Sequence, residues 1–178
     1  TDRAYKTISD INATTFQAGD FVKFRKGQTW AEELIPASAG TEGNVITYGA
    51  FGTGALPIIA GGVDKNCIYV DTGKDYLTFQ DLELTGGVSG ISLRGAYCTV
   101  TGCTIRDIIT TNADGGGEDT GILLLETADN CTITNNLIYN IGTTPAEVGH
   151  VNTEHGIYVS GGDTNTIAYN TIYNMLNG

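Results

Sequence analysis

Gly156-Ile157-Tyr158-Val159, followed by Asn165-Thr166-Ile167-Ala168-Tyr169-Asn170-Thr171-Ile172, is the third statement of one pattern. Gly121-Ile122-Leu123-Leu124 precedes Cys131-Thr132-Ile133-Thr134-Asn135-Asn136-Leu137-Ile138 in the same way. Gly90-Ile91-Ser92-Leu93 precedes Cys98-Thr99-Val100-Thr101-Gly102-Cys103-Thr104-Ile105. The second segments begin 33 and then 34 residues apart. Self-similarity at such a period marks a solenoid. The repeated runs alternate apolar and polar residues with Val, Ile, Thr and Tyr, which reads as strand. No window of the repeats keeps helical spacing over the ten or so residues that a helix needs, and leucines at fixed offsets are missing. Short strands with polar turns and no crossover helix leave a coil of parallel strands, an all-β solenoid.

Working outward, the same register finds earlier coils. Leu77, Phe79, Leu82 and Leu84 match Cys98, Val100, Cys103 and Ile105, and Ile68 and Val70 match Ile91 and Leu93. Further back, Phe21 to Phe24, Leu34-Ile35, Val45 to Tyr48 and Pro57 to Ile59 are short strand candidates separated by Gly, Asn or Pro. Thr7 to Thr14 reads as a short helix with Ser9 or Asp10 as N-cap. Such a segment would cover the apolar end of the first coil, which a solenoid must protect from water. The whole chain, 1–178, reads as a single domain.

The stretch Phe16-Gln17-Ala18-Gly19-Asp20-Phe21-Val22-Lys23-Phe24 with Gly43-Asn44-Val45-Ile46-Thr47-Tyr48-Gly49-Ala50 resembles the opening coils of secreted right-handed parallel β-helix proteins, the pectate-lyase-like superfamily. Asn130-Cys131-Thr132-Ile133-Thr134-Asn135-Asn136 and His155-Gly156-Ile157-Tyr158-Val159 are similar to its later coils. The resemblance covers nearly the whole chain. It implies a right-handed β-helix, secretion, and action on or binding to polysaccharide, as a lyase or a glycoside hydrolase. A non-catalytic glycan-binding, adhesin or phage-tailspike-like module is the alternative, because the superfamily hosts many activities on one fold. Its hydrolase branch implies an adjacent Asp pair and Gly-His-Gly, its epimerase branch Asp-Pro-His. This chain departs from all three and offers Glu154-His155-Gly156 instead. The pectate-lyase branch implies clustered Asp ligands near a basic residue; Asp71 and Arg94 are the nearest approach.

The formal net charge of −11 argues against nucleic acid and anionic membrane as partners. It also repels polyuronates unless Ca²⁺ or a local basic group intervenes. No apolar run reaches the length of a membrane-spanning helix. The chain starts at Thr1 without a leader pattern and stops at Gly178 directly after a strand pattern. We therefore expect an open last coil that packs on a second copy, on a partner or on further coils of a longer parent.

The four cysteines read as reduced core thiols, with one cross-rung disulfide or a zinc site as lesser alternatives. Cys98 and Cys131 share the apolar register of Leu77, and Cys67 occupies the position of Gly90, Gly121 and Gly156. Asn136 and Asn170 share one register at a bend, where stacked amides would bond each other. Cys103 is where that ladder would stop. Asn140 and Asn174, aligned with Asp107, read as turn residues.

Alternation sends Tyr69, Ser92, Leu123 and Tyr158 outward in one row, with Asp71, Arg94, Leu125 and Ser160 beside it. Arg106, Tyr139 and Tyr173 form a row on another face. Tyr69, Tyr158, Tyr139 and Tyr173 are thus candidate substrate-binding residues, since aromatic rings stack on sugars. Both rows also fit plain solvated ladders. Two turns are much longer than the rest, Ile109 to Thr120 and Gly142 to His155, and long loops on a rigid scaffold tend to carry function. They hold Asp114, Glu118 and Asp119 in one and Glu147, His150, Glu154 and His155 in the other, including both histidines of the chain. Asp114, Glu118 and Asp119 are candidate Ca²⁺ ligands, being hard oxygen donors. His155, His150, Glu154, Glu118 and Arg94 are candidate catalytic residues for proton transfer to or from a sugar. Arg94 could instead neutralise a uronate carboxylate. Soluble loops with His155 bonding at a strand entrance remain the structural alternative.

Overall fold

A computed structural model describes residues 4–109, 119–142 and 154–176. Three parallel sheets run through them. The first holds Phe21–Arg25, Ile46–Phe51, Leu77–Gln80, Thr99–Thr101, Thr132–Thr134 and Thr166–Ala168 in that spatial order. The second holds Thr29–Trp30, Ile58–Ala60, Glu83–Thr85, Thr104–Ile108, Leu137–Ile141 and Thr171–Met175. The third holds Asn66–Val70, Ser89–Leu93, Thr120–Leu124 and His155–Val159. Each turn of the coil visits first, second and third sheet in order and then steps up one rung, which makes the molecule a parallel β-helix. Among the described residues no helix is long and apolar enough to cross a membrane.

The register is the one read from the repeats. Ile68 pairs with Ile91, Ile91 with Ile122 and Ile122 with Ile157 in the third sheet. Phe79, Val100, Ile133 and Ile167 form a row in the first sheet, and Leu84, Ile105, Ile138 and Ile172 one in the second. Like stacks on like because each rung repeats its predecessor one strand spacing away, about 4.8 Å. Full burial of each such aliphatic side chain contributes about 1.5–3 kcal/mol. The expected core is found up to its last rung. There Ile157 is only partly buried, and Val159, Ile167 and Ile172 are 44%, 44% and 43% exposed, because no rung covers them among the described residues.

The opening helix is shorter than expected, Ile8–Asn12, and its N-cap is Thr7 rather than Ser9 or Asp10. Thr7 is extended, and its hydroxyl accepts from the Asp10 amide at 3.1 Å. Ile8 and Ile11 are buried on the first coil. Glu32 accepts from the Ile8 and Ser9 amides, and Asn12 donates to the Glu33 carbonyl and accepts from the Ile35 amide. Leu34-Ile35 makes only a bridge, Leu34 to Ile68, in place of a strand.

All four cysteines are buried free thiols. Burial pushes Cys67 and Cys103 up to about 12. Cys98 is raised first by its hydrogen bond with Cys131 and then by burial. The asparagine ladder is also present. The Asn136 Nδ2 donates to Asn170 Oδ1 at 3.0 Å, while Asn136 Oδ1 accepts from the Cys103 amide at 3.0 Å. A second ladder links Asn174 to Asn140 and Asn140 to Asp107. Those three residues have positive φ, a conformation that Asn and Asp tolerate.

Candidate functional site

Three rows of the third sheet lie beside its aliphatic core columns. Asn66, Ser89, Thr120 and His155 start the strands; Tyr69, Ser92, Leu123 and Tyr158 follow. Arg94, Leu125 and Ser160 continue past the strand ends, held by amide bonds to Val70, Leu93 and Leu124. The His155 and Tyr158 rings stack at 4.8 Å with 27° between planes. Ser89, Ser92 and Thr120 in these rows are buried.

Three of the singled-out residues meet at the starts of two neighbouring strands: Asp119, Glu154 and His155. The His155 amide donates to the Asp119 carbonyl at 3.0 Å, which sets the two rungs in register. Asp119 is 3% and Glu154 5% exposed. Both carboxyl-bearing residues hold interactions, as buried carboxylates must. Glu154 lies across Gly142: a Cβ there would sit 2.3 Å from the Glu154 Cγ. Gly142 also has φ of 94°, so this corner requires glycine twice over.

Arg94 does not join that group. It leaves the far end of its strand, five residues along from the row of His155, or about 16 Å at the rise of a strand. An extended strand separates its two ends, so sharing a sheet does not bring Arg94 to Asp119, Glu154 and His155. Its Nη1 lies 3.8 Å from Glu126 Oε2, a loose contact between partly exposed groups, and its Nε is buried without a hydrogen-bond partner. Tyr69 is nearby in register and donates to Asp71 at 3.4 Å.

Tyr139 and Tyr173 lie on the second sheet, a different face from Tyr69 and Tyr158. Their rings stack on each other at 5.2 Å and 1°. Arg106, in the same row, is taken by Glu83 and Asp107. Of the remaining candidates, Asp114, Glu118, Glu147 and His150 fall outside the described residues. No group of three or more His, Cys, Asp or Glu side chains suited to a metal ion occurs among the described residues. One feature was not singled out by sequence: Tyr76 and Tyr97 stack at 4.7 Å and 2° where the chain turns from the third sheet to the first. The signal was available, since they directly precede the aligned Leu77 and Cys98.

The comparisons with known proteins agree with this architecture. Over 94% of its length the chain superimposes on an alginate lyase from Paenibacillus sp. str. FPU-7, with TM-score 0.77 and 25% identity, and spans 56% of that protein. It also superimposes on the GH136 lacto-N-biosidase from Eubacterium ramulus over 90% of its length, with TM-score 0.61 and 17% identity, and spans 39% of that one. The chain is thus about half the length, or less, of the solved structures it matches. No curated protein matches its sequence significantly. The family model described as the right-handed beta helix region matches residues 59–178, the three full repeats and the coil before them. The chain belongs to the right-handed β-helix family.

Proposed function

We propose that this is a secreted carbohydrate-active β-helix protein that lays a polysaccharide across the outer face of its third sheet and cleaves it, as a lyase or a glycoside hydrolase. The observation that carries the reading is the grouping of Asp119, Glu154 and His155 at the starts of adjacent strands, with the His155–Tyr158 ring pair opening the face beside them. His155 supplies an imidazole, and Asp119 and Glu154 supply carboxyl groups, the group types of general acid–base catalysis. The likeness to a polysaccharide-cleaving enzyme at 25% identity supports it. An anionic polymer suits the site better than the net charge of −11 would suggest. Arg94 is partly exposed at the edge of this sheet, held only by a loose contact to Glu126, and a guanidinium takes a carboxylate in a two-pronged grip.

Calcium enters this proposal through Asp114, Glu118 and Asp119. Of these, Asp119 is buried and already engaged, so no step is routed through a metal. Binding without turnover is the second reading. What favours it is the burial of Asp119 and Glu154, since a general acid must touch its substrate. The exposed Val159, Ile167 and Ile172 of the last described rung add a proposed partner, a second copy of this 178-residue chain packed end to end.

The test is incubation with alginate and with glycans ending in lacto-N-biose. A lyase produces unsaturated uronate absorbance, a hydrolase new reducing ends, and a binding module only retention in an affinity gel. For an enzyme, His155→Ala should lower turnover by about 10²-fold or more with little change in melting temperature, while Asp119→Asn, at a buried and engaged carboxylate, should lower both. Equal loss of activity and melting temperature in His155→Ala would assign that residue to the scaffold. Absence of both products and retention would end the proposal.

A further inference from the structure

The turn from the third sheet to the first returns with one backbone conformation on four successive rungs. Tyr76 has φ of 56°, Tyr97 55°, Asn130 55° and Thr164 60°. Asparagine enters this left-handed region readily, but a bulky side chain does so against the crowding of its Cβ. Two rungs nevertheless carry tyrosine. The core does not require it: Leu77 and Cys98, directly behind, are completely buried, and Tyr97 is 47% exposed. The later rungs make the same turn without an aromatic ring. The left-handed turn is common to all four rungs, so what points beyond the fold is the aromatic ring, exposed at Tyr97, that two of them carry and the others do without.

The surroundings say which role. Tyr76 backs one face of the Tyr97 ring in a near-parallel stack, so the ring is held in one orientation before any ligand arrives. The other face looks along the solenoid towards the rung of Asn130, whose side chain is short and exposed. Arg94 leaves the same turn three residues earlier, at the same edge of the third sheet. An oriented aromatic face beside an amide and a guanidinium matches a pyranose, whose C–H face packs on the ring while its hydroxyls and any carboxylate meet the polar groups.

We infer that Tyr97, supported by Tyr76, is a sugar-stacking subsite at the edge of the third sheet, taking one pyranose of the polymer with Asn130 bonding a hydroxyl. It rests on the polysaccharide reading above and extends the contact surface beyond the four tyrosines already considered. The test compares wild type, Tyr97→Asn and Tyr97→Phe by retardation in gels containing alginate or lacto-N-biose-terminated glycans, alongside thermal melts. Tyr97→Asn installs the residue that the next rung uses in this conformation. It should keep or raise the melting temperature while weakening retention about threefold to tenfold, and Tyr97→Phe should stay within about twofold of wild type. Undiminished retention of Tyr97→Asn beside a retained wild type removes the subsite and leaves the polysaccharide reading intact. A lowered melting temperature, or failure of Tyr97→Asn to fold, makes the stack a structural brace and also overturns the subsite. A wild type retained by neither gel removes both.

Discussion

Asn136 is 2% exposed, and its amide spends every atom on the fold. The Oδ1 accepts from the Cys103 amide, and the Nδ2 donates to the Val100 carbonyl and to Asn170 Oδ1, all at 3.0 Å. These bonds tie three rungs at a bend that strand pairing does not reach. Replacing it with alanine would leave the Cys103 amide unmet and strip the Val100 carbonyl and Asn170 of one bond each. We expect Asn136→Ala to cost about 2–4 kcal/mol in urea unfolding, since each buried unmet polar group costs about 1–3 kcal/mol. Asn170→Ala should cost less, because Asn170 is half-buried and water can replace part of its bonding. Equal losses at the two positions would mean that the ladder contributes nothing beyond the local bend.

At the scale of the strand, the Gly-Ile signature has a steric cause. A Cβ on Gly121 would stand 2.4 Å from the Gly156 carbonyl oxygen and 2.7 Å from Ile138 Cγ2. Gly90 and Gly156 meet the equivalent second-sheet isoleucines, Ile105 and Ile172, at 2.5 and 2.4 Å. The strand of the third sheet comes so close to the second at this corner that no side chain fits between them. Cys67 can occupy the column because its thiol lies by the Thr85 and Gly86 carbonyls. Gly121→Ala should therefore lower stability by about 3 kcal/mol or more, read from denaturant midpoints, since the oxygen in its way is backbone and cannot turn aside. A near-neutral result would show that the corner relaxes and that the signature reflects something other than close approach.

For the whole molecule, the two ends differ. The first coil is closed by the helix Ile8–Asn12, whose Ile8 and Ile11 seal its core. On the last described rung the aliphatic rows, the asparagine ladders and the Tyr139–Tyr173 stack have no further neighbour among the described residues, with Tyr173 half exposed. Three strand edges with an apolar centre are a template for another set of strands. We expect sedimentation of the 178-residue chain to give the mass of a dimer, and a charge placed by Ile167→Lys to return it to one chain. Wild type sedimenting as a single chain at high concentration would overturn the end-to-end pairing.

Period and alternation in the sequence determined the coil, its register and most of its core. A parallel solenoid stacks each residue on its counterpart one rung away, so a repeat in sequence is a contact in space. That is why Cys98 over Cys131, Asn136 beside Asn170 and Tyr69 in line with Tyr158 could be read without coordinates. Tertiary structure alone decided what lies beside what across the rungs. It set Arg94 at the far end of its strand from the row of His155, because an extended strand holds its ends apart. It buried Asp119 and Glu154, which a polar pattern had placed in solvated turns, and it left Ile167 and Ile172 exposed despite their core register. Burial depends on what covers a residue, and a local pattern carries no record of its cover. The stacked Tyr76 and Tyr97 show the same division: register put them in one column, and only the left-handed turn aimed their rings outward.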